Sequence, residues 1–169
     1  MGSSASQSLA SRGLRVLTFD RFGLNHEFGS SHGKTRIIRL AYYEDERYVP
    51  LLRRAFVLWK ELESKSGRKL LLKTGGLMIG RQEGELVRGV LKSAKAHGIP
   101  HKLLSASEAE SRFEAFHLDE SLSAVHEDSA GVLFPEECIQ AFADLAKESG
   151  CEFKFNEAVT SWKSGPSGV

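Results

Sequence analysis

The sequence predicts an α/β fold, and three features predict it. A small-residue helix closed by glycine feeds a run of β-formers that ends in an aspartate. A long amphipathic helix follows, and further glycine-closed helices then alternate with short β-forming runs. The 169 residues are enough for an ordinary hydrophobic core.

The opening helix spans Ser3 to Arg12, where Ala5, Leu9 and Ala10 offer a narrow apolar face. Gly13 suits the position just past a helix end. Leu14 to Phe19 is rich in β-formers and predicts a buried strand with Asp20 at its tip. Glycine, helix, glycine, strand and aspartate form the second half of a dinucleotide-binding βαβ unit, with the acidic residue about 20 residues beyond the glycines. Gly2 stands where the last glycine of G-x-G-x-x-G would lie, the position that lets the helix pack closely on the strand. The strand and the glycines that begin a complete unit are not in the sequence, so a Rossmann-like domain lacking its first strand is expected. Residues 1–6 also fit a myristoylation pattern, with Gly2 and Ser6 in the required places.

Gly29 to Arg39 is rich in glycine and hydroxyls and then basic, a composition able to approach a phosphate or flavin closely and to donate many hydrogen bonds. Arg36 and Arg39 would share a face on a helix. The same stretch also reads as a solvated loop leading into a helix.

Tyr48 to Ser66 predicts an amphipathic helix, with Pro50 in its first turn, Leu51, Ala55, Leu58 and Leu62 on one face, Trp59 in the core and Gly67 at its end. Leu70 to Thr74 and Leu77 to Ile79 read as strands around Gly75 and Gly76. Glu85 to His97 reads as a helix closed by Gly98, and Ser105 to Glu108 as a capping box opening a short helix. Ser123 to His126 reads as a strand. Pro135 opens a helix with Ile139, Phe142 and Leu145 on its apolar positions, ended by Gly150. Glu152 to Phe155 and Ala158 to Trp162 read as strands, and Ser164 to Val169 as a turn-like tail.

Other chemistries find little purchase. The formal charge is +1 and the basic residues are interspersed with acids, leaving no footprint for nucleic acid or an anionic membrane. No run is apolar enough to span a bilayer, and no signal peptide pattern opens the chain. Cys138 and Cys151 make neither a disulfide framework nor a metal-ligand spacing, and the six histidines are scattered. An intracellular, reduced protein with no metal is expected.

The run GSSHGKTRIIRLAY, Gly29 to Tyr42, closely resembles the hallmark of the monomeric sarcosine oxidase family. That family includes N-methyltryptophan and pipecolate oxidases and belongs to the D-amino-acid-oxidase-like flavoproteins. LASRGLRVLTFDRF upstream is similar to the family's second strand. YVPLLRRAFVLWKELE, LLLKTGGLMIG and SAGVLFPEECIQAF resemble family segments in the family order.

The resemblance implies truncation at both ends, since the family is roughly twice as long. It implies an FAD-binding segment at 1–68, part of a β-rich substrate domain at 69–128 and a return to the FAD-binding domain at 129–169. It implies FAD as cofactor, an amino-acid substrate and oxygen as partners, no nucleic acid or membrane, a monomer when complete, and a cytoplasmic location (peroxisomal in a eukaryote). The activity implied is oxidation of a secondary amino acid, such as sarcosine, to an imine with hydrogen peroxide formation. A non-catalytic fragment and a related glycine or D-amino-acid oxidase stay open as alternatives.

By the same resemblance, Asp20 accepts hydrogen bonds from the adenosine ribose, with Gly2 and Arg21 also beside the cofactor. Ser30, Ser31, His32 and Thr35 lie along the flavin and its ribityl-phosphate chain. Arg36 sits beside the isoalloxazine, where positive charge favours the reduced anion. Arg39 grips the substrate carboxylate. His32 joins the two arginines as a catalytic group, and the backbone of Val159 meets the adenine. Neither Cys138 nor Cys151 matches the cysteine that holds FAD covalently in the family.

Overall fold

Four of the five α-helices among the described residues are closed by a glycine, and strands form where short apolar runs find a ladder partner. The computed structural model describes residues 1–166. In chain order its elements are α1 (Gly2–Ala10), β1 (Leu17–Asp20), β2 (Arg36–Ile38), α2 (Val49–Ser66), β3 (Leu71–Lys73), β4 (Gly76–Arg81), α3 (Glu85–Ala96), β5 (Lys102–Ser105), α4 (Ala106–Arg112), β6 (Leu122–Glu127), β7 (Gly131–Leu133), α5 (Pro135–Glu148) and β8 (Glu152–Phe155). They fall into two units. Met1–Thr35, Leu62–Leu70 and the chain from Phe134 onward make the first, and Arg36–Glu61 with Leu71–Leu133 makes the second. The α/β class is borne out, with a parallel strand pair in the first unit and antiparallel sheets in the second.

In the first unit β1 pairs in parallel with β8, from Leu17 opposite Glu152 to Asp20 opposite Phe155. Ala10, Ala146 and Cys151 are buried together, with Val16 and Phe153 packed on them. Small residues at these positions let helices approach closely. The Ser6 hydroxyl donates to the Gly2 carbonyl at 2.9 Å and lies 2.6 Å from the Thr18 hydroxyl. Arg68 bonds to Glu137 at 2.8 Å and to Asp144 at 2.9 Å, fixing the turn after α2 to α5. Cys138 and Cys151 are both free and buried. Burial, then the carboxylates of Glu63 and Glu137, pushes the Cys138 thiol up to about 11, so it stays an unreactive packing group.

The second unit holds the sheets β2–β7–β3 and β4–β6–β5. Its main core gathers Ala41, Val49, Met78, Val87, Val90, Ala94, Ile99 and Val125. A smaller cluster of Leu104, Ala109 and Ala124 lies under α4, whose Ser105–Glu108 capping box forms as expected.

Several expectations need correction. Leu14 to Asp20 is a strand only from Leu17, and it is not buried: Leu17 is 49% and Phe19 40% exposed. The strand's period of two turns Thr18 toward α1 and leaves Leu17 and Phe19 on a face that no described element of this unit covers. A Cβ on Gly2 would meet nothing within 4 Å among the described residues. Ala158 to Trp162 is exposed and forms no strand, because β-propensity without a ladder partner makes none. On α2, Leu51 and Leu58 are exposed. The inward stripe runs instead through Val49, Leu52, Phe56, Trp59 and Leu62, the same period with a shifted phase. Arg36 to Ile38 is a strand, neither helix nor loop. Ser167 to Val169 of the expected tail lie outside the described residues.

Gly131 sits on the central strand β7, where a Cβ would collide with the Leu72 carbonyl oxygen of β3. Gly131→Ala should therefore destabilise the protein by about 1–3 kcal/mol, the usual cost of overpacking. Thermal unfolding followed by circular dichroism checks this, and an unchanged midpoint would contradict the tight strand contact.

Candidate functional site

Asp20 ends β1, and its neighbours hold it firmly. One carboxylate oxygen, Oδ1, accepts the Phe22 N–H at 2.8 Å. The carbonyl of Asp20 accepts the Glu157 N–H, and that of Phe22 accepts the Asn156 N–H, each at 3.0 Å, so the chain leaving β8 is tied to the turn after β1. His26 Nδ1 accepts the Phe28 N–H at 3.1 Å, which in the neutral ring puts the proton on Nε2. Nε2 lies 3.6 Å from Asp20 Oδ1, an electrostatic contact rather than a hydrogen bond. The rings of Phe22 and Phe28 lie 4.4 Å apart, tilted by 31°, and the Arg21 guanidinium lies 5.6 Å from the Phe22 ring centre. The result is a half-exposed carboxylate held beside an aromatic cluster, suited to accepting from a diol next to a flat ring.

The next segment turns tightly. The Gly29 carbonyl lies 3.0 Å from His32 Nδ1 and accepts the His32 N–H at 3.4 Å. Gly33 adopts φ +108°, open only to glycine at low cost, and its N–H donates to Glu136 in the first turn of α5 at 3.1 Å. Ser30, Ser31, His32 and Thr35 are exposed along this turn. Val159 is exposed beyond β8.

In the second unit Arg36 opens β2 opposite Leu133. Arg39 follows the strand. Its guanidinium carbon sits 4.6 Å from the centre of the Tyr42 ring, and Nη2 donates to Glu44 at 3.3 and 3.4 Å. Its Nε is buried with no hydrogen-bond partner. The segment after Arg39 is pinned from several sides. Glu127 Oε1 and Oε2 accept the N–H groups of Leu40 and Ala41, each at 2.9 Å. The Ser93 hydroxyl donates to the Tyr42 carbonyl. Gly89 lets α3 approach so closely that a Cβ there would lie 2.9 Å from Tyr43 Cα. Asp45 caps the 3-10 turn Glu46–Tyr48, and hydrogen bonds from the Arg47 side chain and then its N–H hold the Asp45 carboxyl down at about 2.

Thus Asp20, Arg21 and the 29–35 turn belong to the first unit, and Arg36 and Arg39 to the second. Sequence reasoning missed His26, Tyr42, Glu44, Ser93 and Glu127. For Glu127 a signal existed, since an acid at the end of the apolar run Leu122 to Val125 is costly unless satisfied. Among the described residues no cluster of His, Cys, Asp and Glu could hold a metal ion, and no helix is long and apolar enough to cross a membrane.

Comparison with known proteins gives the arrangement its context. The chain is 41% identical over 169 residues to monomeric sarcosine oxidase of Streptomyces avermitilis, a match that covers all of this chain and 44% of that protein. It is 34% identical to N-methyl-L-tryptophan oxidase of Yersinia pestis, again over its whole length and over 46% of the relative. It thus spans less than half the length of these relatives. Among solved structures, NikD, an unusual amino acid oxidase of nikkomycin biosynthesis, superposes with a TM-score of 0.82 at 24% identity, over 91% of this chain and 40% of that one. L-proline dehydrogenase from P. horikoshii superposes with a TM-score of 0.79 at 24% identity, over 97% of this chain and 43% of that one. At that identity the two structures speak for the fold alone. The family model "DAO: FAD dependent oxidoreductase" matches residues 1–169, from end to end, and the chain belongs to that family.

Proposed function

We propose that this chain is part of an FAD-dependent oxidase of a secondary amino acid, N-methylated or cyclic, such as sarcosine. The substrate loses two electrons and two protons across its carbon–nitrogen bond to give an imine, and oxygen gains them to give hydrogen peroxide. The activity is proposed for a protein of the relatives' length, of which the chain spans 44% in the Streptomyces match. The relatives named as oxidases of sarcosine and of N-methyl-L-tryptophan support the substrate class.

The observation that carries the reading is Arg39. One face of its guanidinium lies on Tyr42, and one edge already bonds to a carboxylate, that of Glu44. A planar fork in this setting takes a carboxylate with two hydrogen bonds and fixes its orientation. It would hold the substrate's carboxylate and so orient the adjacent amine. FAD, when bound, supplies the redox chemistry by taking electrons from the amine and passing them to oxygen.

The residues of the first unit fit such a cofactor. The half-exposed Asp20 carboxylate has one oxygen tied to backbone and can accept from ribose hydroxyls through the other, beside Arg21. The first turn of α1, at Gly2, has no acidic residue and no side-chain cap, which suits a phosphate. Ser30, Ser31, His32 and Thr35 would donate along the flavin side, and Val159 would offer backbone to the adenine. Arg36 would stabilise negative charge on the reduced ring, with His32 close to the chemistry. The proposed FAD-binding segments are 1–68 and 129–169, with a substrate-binding part at 69–128. The division into units follows these bounds for Met1–Thr35 and for the chain from Phe134 onward, but groups Arg36–Glu61 with Leu71–Leu133.

Two tests follow in a protein of the relatives' length. Arg39→Ala should raise KM for sarcosine by about 10- to 100-fold, as loss of a charge-assisted pair predicts, with FAD retained. Arg36→Ala should instead slow flavin reduction or reoxidation in stopped-flow traces. Small, equal effects of both changes would count against the assignment. Asp20→Ala should weaken FAD capture by about 10-fold, the value of one good hydrogen bond to a charged group, in a fluorescence titration of apoprotein. Unchanged affinity would remove Asp20 from the cofactor site.

A further inference from the structure

We propose that Glu127 is the positioning residue for Arg39, holding the peptide planes that follow the arginine so that its guanidinium faces a substrate carboxylate. The inference rests on the carboxylate-binding role proposed above.

Glu127 ends β6 opposite Gly76 of β4 and is 0% exposed. A carboxylate so deeply placed is costly unless its oxygens are bonded. Here Oε1 accepts the Leu40 N–H and the Ser129 hydroxyl, and Oε2 accepts the Ala41 N–H. All three donors are neutral, so Glu127 is not a member of a buried ion pair with them. Its two oxygens instead take two consecutive amides, which fixes the orientation of the backbone as well as its position.

Those amides are the ones that need an outside partner. The β2 ladder ends at Ile38, opposite Gly131, and Ala41 is fully buried, beyond the reach of water. The carboxylate therefore replaces the ladder for the two residues after Arg39. The Tyr42 N–H then closes on the Leu40 carbonyl at 3.0 Å, and Ser93 holds the Tyr42 carbonyl. This backbone also sets Tyr42, the ring on which Arg39 lies. Arg39 has little else to aim it, since Nε has no partner and the bonds from Nη2 to Glu44 are long, at 3.3 and 3.4 Å.

Glu127→Gln keeps the shape but presents an NH2 group to one of the two amides, so only one bond survives. In the FAD-containing protein of the relatives' length, hydrogen exchange at Leu40 and Ala41 should quicken by about 10-fold or more, with little change elsewhere. KM for sarcosine, and the affinity for acetate read from the flavin spectrum, should weaken by about 10-fold, while kcat changes far less. Glu127→Ala should exceed Glu127→Gln in the same direction, and Gln alone suffices should Ala fail to fold. In an Arg39→Ala background, Glu127→Gln should add nothing to KM. Additive effects of the two changes, or quickened exchange with unchanged KM, would overturn the proposal. A wild-type protein that ignores carboxylated amines, or an Arg39→Ala variant with unchanged KM, would instead sink the proposed substrate class. In that event unchanged exchange at Leu40 and Ala41 would still overturn the role of Glu127.

Discussion

Two backbone amides beyond the end of β2 have to be satisfied inside a core, and a single buried carboxylate satisfies both. The bonds from Leu40 and Ala41 to Glu127 join the last residue of one antiparallel sheet to the exit of another. Ala41 can then enter the main core of the second unit beside Val87, Val90 and Val125. Ser93 and Gly89 of α3 can then engage Tyr42 and Tyr43. Arg39 is carried just before a segment in which the N–H groups of Leu40, Ala41 and Tyr42 and the carbonyls of Leu40 and Tyr42 all have partners. An unpaired buried amide costs about 1–3 kcal/mol, so this arrangement has few alternatives of similar energy.

The first unit solves a different problem with different means. Small residues at Ser6, Ala10 and Ala146, rather than large apolar ones, bring α1, β1 and α5 together. The apolar residues left over, Leu17 and Phe19, face outward. What β1 offers at its end is a carboxylate braced by the Phe22 amide, with the aromatic rings of Phe22, His26 and Phe28 beside it.

Much of this was legible in the sequence wherever the signal was local. Glycines 13, 67, 98 and 150 all take positive φ just past the ends of helices, as their spacing predicts. The capping box at Ser105 and Glu108 forms because both partners lie within one turn. The segment from Gly29 to Arg39 could be singled out by composition and family likeness, but not its conformation. Arg36 to Ile38 becomes a strand only because β7, almost a hundred residues on, supplies a ladder. The same nonlocality explains the failures. Ala158 to Trp162 has β-forming residues and no partner, Leu51 and Leu58 have the right period in the wrong phase, and Glu127 gains its meaning from amides 86 and 87 residues away.

The proposed role of Arg39 turns on whether a carboxylate is what a protein of the relatives' length recognises. Peroxide formation and flavin reduction should be measured in a protein of the relatives' length with sarcosine and, in parallel, with dimethylamine, which has the same secondary N-methylamine but no carboxylate. Rapid flavin reduction with one peroxide per sarcosine, and reduction by dimethylamine slower by about 100-fold or more, is the result that carboxylate capture by a forked arginine predicts. Comparable rates with both amines would contradict it.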